Sequence, residues 1–294
     1  MDVTEKPKYS QDYSKSEMMA VIVANQISNE DVAFIGVGIP LIAATLAANT
    51  HAPEAILVYE AGGIGAQSNR IPWTVSDTPC TDNALSAGPM HRVFSDCQRG
   101  FITLGVIGGA EIDKYGNINT SVILGDGYTY DHPRVRLPGS GGANDIASSS
   151  QRTLIVMRLQ KGKFVEKVSY ITSPGFIDGA GAREKAGLVG GGPYLVVTDL
   201  CTFRFNADKE MYLDALFPGV TVEQVKELVG WELKVADNLA LLDPPTEEQV
   251  QMMRSFDPSG TVLGSRSLRG DIMEFEEYYH LMKNAYTNKR KASE

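Results

Sequence analysis

At 294 residues, with 43% apolar and 21% charged side chains, the chain has the balance of a soluble globule large enough to bury a core without disulfide staples. A net charge of −9 and a pI near 5.1 exclude an extended basic surface for a phosphodiester backbone, so no nucleic acid is expected as a partner. No stretch approaches the ~18 uninterrupted apolar residues that a bilayer span needs, and the polar N-terminus has no signal-peptide core, so no membrane is expected either.

In chain order, residues 1–13 read as an N-terminal extension. Ser14-Lys15-Ser16-Glu17 then has capping-box spacing, and apolar residues from Met18 to Ile27 recur at near-helical intervals, which predicts a helix over 15–29. The apolar run 32–37, stopped by Gly36-Val37-Gly38-Ile39-Pro40, predicts a strand, a glycine turn and a helix over 41–49 with proline in its first turn. Residues 56–59 predict the next strand. Further strands are expected at 101–107, 153–159, 168–172 and 194–198, with a hairpin appended to the sheet at 113–119 and helices at 221–229 and 246–255. Strands alternating with helices predict an α/β fold, an open and mostly parallel sheet with helices on both faces, as a single domain over 14–258. The composition shifts after Asp257-Pro258, and residues 259–294 are expected as a C-terminal tail with one helix.

Glu60 is the foremost candidate for chemistry. It ends the run Ile56-Leu57-Val58-Tyr59 and is followed by Ala61-Gly62-Gly63-Ile64-Gly65. Open α/β sheets place ligands outside the carboxyl ends of their strands, and glycines permit backbone approach to a bound group. The alternative is a solvated glutamate that happens to end a strand. Gly139-Ser140-Gly141-Gly142-Ala143-Asn144 is either an anion nest of successive amides or a tight loop that opens a helix. Gly36-Val37-Gly38 fails as a dinucleotide fingerprint because its third glycine would fall at Leu41, leaving a close-approach turn for an anion or for packing. The glycine-rich stretch 173–193 is too long for a plain connector and is either functional or docked on another surface.

Other chemistries are disfavoured. His51, His91, His132 and His280 are scattered, and neither HExxH nor CxxC occurs, so no metal is expected. There is no GxSxG elbow for a serine hydrolase. The odd set Cys80, Cys97 and Cys201 suits a reducing, cytoplasmic location, with Cys80 and Cys97 read as ordinary thiols rather than nucleophiles.

Taken in order, Gly36-Val37-Gly38-Ile39-Pro40, Tyr59-Glu60-Ala61-Gly62, Ile107-Gly108-Gly109-Ala110 with Tyr115-Gly116-Asn117, and Gly139-Ser140-Gly141-Gly142-Ala143-Asn144 resemble the B (beta) subunit of family I CoA-transferases. The likeness is to the glutaconate CoA-transferase branch, with Thr172-Ser173-Pro174-Gly175-Phe176-Ile177-Asp178-Gly179 and Val197-Thr198-Asp199 also fitting, and it covers roughly residues 14–260. In that family the glutamate of a Glu-Ser-Gly or Glu-Asn-Gly motif is the covalent nucleophile; Glu60-Ala61-Gly62 keeps the acid and the glycine and changes the middle residue.

The resemblance implies a ping-pong transfer of CoA between an acyl-CoA and a small carboxylic or dicarboxylic acid, through a glutamyl anhydride and a glutamyl-CoA thioester on Glu60. It implies oxyanion donors in Gly141, Gly142 and Ala143, and substrate or CoA contacts at Gly36, Gly38, Gly62, Gly63 and Asn144. Coenzyme A enters as substrate, with no tightly bound cofactor. The implied partner is a homologous A (alpha) subunit in a hetero-oligomer, faced by loops 61–66 and 173–193 or reached there by the CoA arm. Alternatives on the same fold are an acyl-CoA hydrolase, decarboxylase or C–C-cleaving enzyme, or a non-catalytic partner subunit.

Overall fold

In a computed structural model, which describes residues 7–67, 71–72, 74–258, 260 and 262–263, the first helix α1 (Lys15–Ala24) begins where its capping box predicts. Ser14 Oγ accepts the Glu17 amide at 3.1 Å and the Glu17 carboxylate accepts the Ser14 amide at 2.7 Å. The helix stops short of 29 because the Gln26 and Ile27 amides turn back to Val23 and Ala24, tightening the chain into i to i+3 bonds.

The chain continues through β1 (Val32–Ile35), α2 (Ile39–Ala48), β2 (Ile56–Val58), β3 (Gly63–Ile64), β4 (Ser86–Ala87), α3 (Met90–Gln98) and β5 (Leu104–Ile107). Then come β6 (Glu111–Asp113), β7 (Ile118–Asn119), β8 (Val122–Ile123), β9 (Val135–Arg136), α4 (Ala143–Ser149), β10 (Arg152–Val156), β11 (Phe164–Val165) and α5 (Ala182–Lys185). The last elements are β12 (Pro193–Val197), β13 (Cys201–Phe205), β14 (Met211–Leu216), α6 (Val222–Lys226), β15 (Lys234–Leu241) and α7 (Glu247–Phe256).

Ten strands form one sheet in the order β15-β14-β13-β12-β10-β5-β1-β2-β3-β4, with β12, β10, β5, β1 and β2 mutually parallel at its centre. Period-two side-chain alternation divides the core. Ala33, Ile35, Leu104, Val106, Leu195 and Val197 pack with α1, α2 and α7 on one face. Phe34, Ile107, Ile155 and Val196 pack with Val93 and Cys97 of α3 and with Ile146 and Ala147 of α4 on the other. The single α/β domain with a mostly parallel sheet covered on both faces is as expected.

Three local expectations are corrected. Residues 168–172 form no strand: Ser169 Oγ and Thr172 Oγ1 accept the amides of Leu124 and Thr120, so side chains replace the ladder, leaving a lone bridge between Ile118 and Ser173. The hairpin at 113–119 exists, but it belongs to a separate three-stranded sheet, β11-β6-β7. Strands β13, β14 and β15, not anticipated from the sequence, lengthen the main sheet beyond β12. Residues 7–13 lie along the start of α7, where Tyr9 bridges Thr246. Most of the expected C-terminal tail lies outside the described residues.

Two ionic clusters hold the layers in register. Asp31, ahead of β1, accepts Arg152 Nη2 at 2.8 Å, Thr103 Oγ1 at 2.6 Å and the Ser28 amide at 2.9 Å, joining the amino ends of β1, β5 and β10. On the helical face Arg254 of α7 grips the fully buried Glu17 side chain of α1, Nε to Oε1 at 2.7 Å, while its Nη1 reaches Asp12 at 3.0 Å.

Arg254→Met leaves the Glu17 carboxylate buried without its counter-ion and is expected to cost about 3 kcal/mol, measured by urea unfolding. Burial alone would raise the Asp31 carboxyl, but Arg152, Thr103 and Ser28 together hold it below its ordinary value. A lowered folded pKa means a stabilisation that is complete above the unfolded value of about 3.9 and is lost as pH falls through the folded one. The stability difference between wild type and Asp31→Asn is therefore expected to be flat from about pH 7 to 5 and to shrink below about pH 4 in urea titrations.

Candidate active site

Because β1, β2, β5 and β10 are parallel, their carboxyl ends share one edge of the sheet. The chain leaves β1 toward β2 and leaves β5 toward β10, so the connections diverge between β1 and β5, the kind of place where open α/β sheets bind ligands. Glu60 projects from a tight turn at this edge. The Gly62 amide closes on Tyr59 O at 3.0 Å, the Tyr59 amide donates to Gly63 O at 2.8 Å, and β3 returns antiparallel to β2. Tyr59 is buried on the α1 and α2 face, leaving Glu60, half-buried, at the tip.

The loop before α4 meets it there. A Cβ placed on Gly142 would lie 3.0 Å from Glu60 Oε1 and 2.3 Å from Phe94 Cζ, and one on Gly141 would lie 4.0 Å from the same carboxylate oxygen. Glycine at 142 is therefore what allows backbone to approach the carboxylate. Gly141 is left-handed (φ 51°) and Gly142 right-handed (φ −79°), a pair that turns successive amides to one side. Among the described residues neither amide has a protein acceptor. The Ala143 amide differs: it is committed to Ser140 O at 3.0 Å, whereas those of Gly141 and Gly142 are open.

Phe94, which has no counterpart among the residues singled out from the sequence, walls this space. It sits on α3 against Phe34, ring centroids 5.5 Å apart, and no motif marks it, since its part comes from packing across the sheet. The buried thiol of Cys97, one turn further along α3, is pushed up by burial, as is that of Cys80, raised to about 11, which fits two structural thiols. Among the described residues no group of side chains could hold a metal ion, and no helix is long and apolar enough to cross a membrane.

The other glycines divide in role. Gly62 and Gly63 face the chain's own backbone, because a Cβ at either would fall within 1.8 Å of Gly88 O or Cys80 O. They admit the 80–88 segment. Gly38, with φ 87°, has open space around it at the start of α2, and a Cβ placed on Gly36 nearby would lie 3.5 Å from Val106 O, an ordinary contact. Asn144 spends its side-chain amide on Thr172 O at 2.8 Å, tying α4 to the 173–193 stretch.

Arg183 docks that stretch. Buried to 3% exposure, its guanidinium donates to the carbonyls of Pro174, Gly175, Ala147, Ser148 and Gly190. Its only signal in the sequence is a basic residue amid glycines.

Over residues 16–228 the chain matches the family model described as Coenzyme A transferase. It is 40% identical over 247 residues to the B subunit of 3-oxoadipate CoA-transferase from Pseudomonas knackmussii, covering 83% of this chain and 94% of that one. Against the B subunit of glutaconate CoA-transferase from Acidaminococcus fermentans it is 38% identical over 249 residues, 82% of this chain and 91% of the relative. The crystal structure of glutaconate coenzyme A-transferase from that organism aligns with a TM-score of 0.79 and 36% identity, over 87% of this chain and 99% of that one. Caffeate CoA-transferase of Acetobacterium woodii is 26% identical over 235 residues, which are 72% of this chain but 40% of the relative.

Gly142→Ala is expected to destabilise by about 1–3 kcal/mol through its clash with the Phe94 ring, measured by urea unfolding. Adding Phe94→Leu should recover part of that loss, because it removes the atoms the new methyl meets.

Proposed function

The chain belongs to the coenzyme A transferase family as a B-type subunit, and on that premise we propose that Glu60 is its covalent nucleophile. The observation that carries the proposal is the closeness of the Glu60 carboxylate to the Gly141-Gly142 backbone, whose amides have no protein acceptor among the described residues.

A Glu60 oxygen attacks the thioester carbonyl of an acyl-CoA, and the negative charge moves to the carbonyl oxygen, where the Gly141 and Gly142 amides would receive it. Each such donor is worth about 3 kcal/mol in the transition state. The C–S bond breaks, giving CoA thiolate and a mixed anhydride of Glu60 with the acyl group. The thiolate attacks the glutamyl carbonyl, the original acid leaves as a carboxylate, and Glu60 becomes a CoA thioester. An incoming carboxylate attacks that carbonyl and expels thiolate; the thiolate then attacks the new acyl carbonyl, releasing the new acyl-CoA and restoring Glu60. The Glu60 side chain carries first the anhydride and then the thioester, so CoA stays activated on the enzyme after the original acid has left.

Relatives that are B subunits imply an A-type partner. The relatives at 40% and 38% identity are named for dicarboxylic acids, which supports a small dicarboxylate as the acceptor or donor. Three buried, unpaired thiols support a reducing, cytoplasmic setting.

Incubating the assembled enzyme with an acyl-CoA and no acceptor is expected to place a CoA thioester on Glu60, visible by peptide mass spectrometry and discharged by hydroxylamine with loss of activity. Glu60→Gln should give no adduct, and Glu60→Asp should cost roughly a hundredfold in kcat through an ~1 Å retreat of the carboxylate. An adduct confined to another residue, or full turnover by Glu60→Gln, rejects the proposal.

A further inference from the structure

The inner sides of the loops on which a partner was expected to sit are taken up by the chain itself, while Val189 on the second of them stays exposed. Backbone of residues 80–88 fills the space at Gly62 and Gly63, and Arg183 clamps the 173–193 stretch onto α4. A different surface is open. Between β8 and β9 the chain runs out along residues 124–134, and every residue from 125 to 132 is exposed.

This arm displays Tyr128 at 48%, Tyr130 at 50% and Val135 at 40% exposure, with Tyr170 and Ile171 at 43% and 38%. The Tyr130 and Tyr170 rings meet at a tilt of 45° with centroids 5.6 Å apart, and the Arg136 guanidinium lies 4.9 Å from the Tyr130 ring centroid while donating to Tyr130 O. Tyrosine and arginine are the side chains enriched at the energetic centres of protein interfaces, and rings already held in contact lose little freedom when covered. β8 and β9 pair at Val122 with Arg136 and Ile123 with Val135, so the aromatic arm beyond them faces water on a short two-stranded base.

We propose that the 124–136 arm, with Tyr170 and Ile171, is the surface on which the A-type subunit docks. The occupant follows from chain length. In the caffeate relative, a match to 72% of this chain accounts for 40% of the polypeptide, so more than half of that protein lies outside the part this chain supplies. In relatives that this chain covers to 94% and 91%, a counterpart to that remainder has to arrive as a second chain. The arm's return strand leads straight into the site: the Leu137 and Gly139 amides bond Ser121 O and Thr120 O, and Gly141 and Gly142 follow. Docking on the arm therefore bears on the loop that approaches Glu60. The inference rests on the B-type reading of this chain given above.

The test places the photo-crosslinker p-benzoylphenylalanine at Tyr130 in the full chain, produced in its native host, with Lys226 on α6 as a control position. The expected result is a cross-link at Tyr130, absent at Lys226, to a different chain that itself belongs to the coenzyme A transferase family. A cross-link to a second copy of this chain overturns the proposal, as does none in an assembly that still forms. With the captured chain purified, Tyr130→Ser combined with Tyr170→Ser should weaken association by roughly 30-fold or more while leaving the thermal midpoint of the isolated chain unchanged. Unchanged affinity overturns it too. The Glu60 adduct is scored in the same complexes, so a missing adduct with the cross-link intact rejects the covalent mechanism and spares the interface.

Discussion

A carboxylate and a strip of backbone can share the same few ångströms only where a side chain is missing, and residue 142 is that place. A methyl group there would run into Phe94 and crowd Glu60 Oε1, so the approach of the Gly141-Gly142 loop to Glu60 depends on glycine. The rest of the molecule can be understood as what holds that approach in place. Parallel pairing brings the ends of β1, β2 and β5 to one edge, the tight turn from Tyr59 to Gly62 aims Glu60 out of β2, and α3 supplies the ring that closes the far side.

The ionic cluster that joins the strands lies at the other end of the sheet. Asp31, Thr103 and Arg152 tie the amino ends of β1, β5 and β10, while Arg254 with Glu17 ties α7 to the first turn of α1. At the carboxyl end the chain uses glycine repeatedly, and each costs about 0.5–1 kcal/mol relative to alanine where the backbone must be ordered. Separating the two ends lets the reacting edge be shaped by backbone conformation while the other end secures the register. Arg183 is the exception near the site, a buried cation that holds the 173–193 stretch and the end of α4 by carbonyls alone. Burial lowers its pKa, yet a guanidinium stays charged, so its carbonyl partners keep a permanent donor.

The candidate site is open on one side. Glu60 is half-buried rather than enclosed, and the proposed transfer through an anhydride needs water excluded. A partner seated on the tyrosine arm would stand next to the loop that ends at Gly142, so closing the site and assembling the complex become one event. On the proposed assembly, that coupling is a physical reason for dividing the enzyme between two chains.

Much of this was legible in the sequence. The capping box before α1, the proline-led start of α2 and the alternation of strand and helix set the fold class, because local hydrogen bonding and side-chain periodicity are properties of neighbouring residues. Glu60 and the Gly139–Gly142 loop were legible as separate candidates for the same reason. Their meeting was implied only by the family resemblance and not by the residues themselves, since they lie far apart along the chain and the sheet's strand order brings them together. Phe94 gave no signal, residues 168–172 looked like a strand until their side chains were seen to take the amides, and Ala143 looked like a donor until its amide was found on Ser140 O. Gly62 and Gly63 read as room for a ligand, whereas the tertiary structure fills that room with residues 80–88. The sequence by itself determined which residues carry the carboxylate and the glycine-rich backbone that the proposed acyl transfer calls for. Tertiary structure decided which of them meet, because contact depends on strand order and on which space the chain has already used.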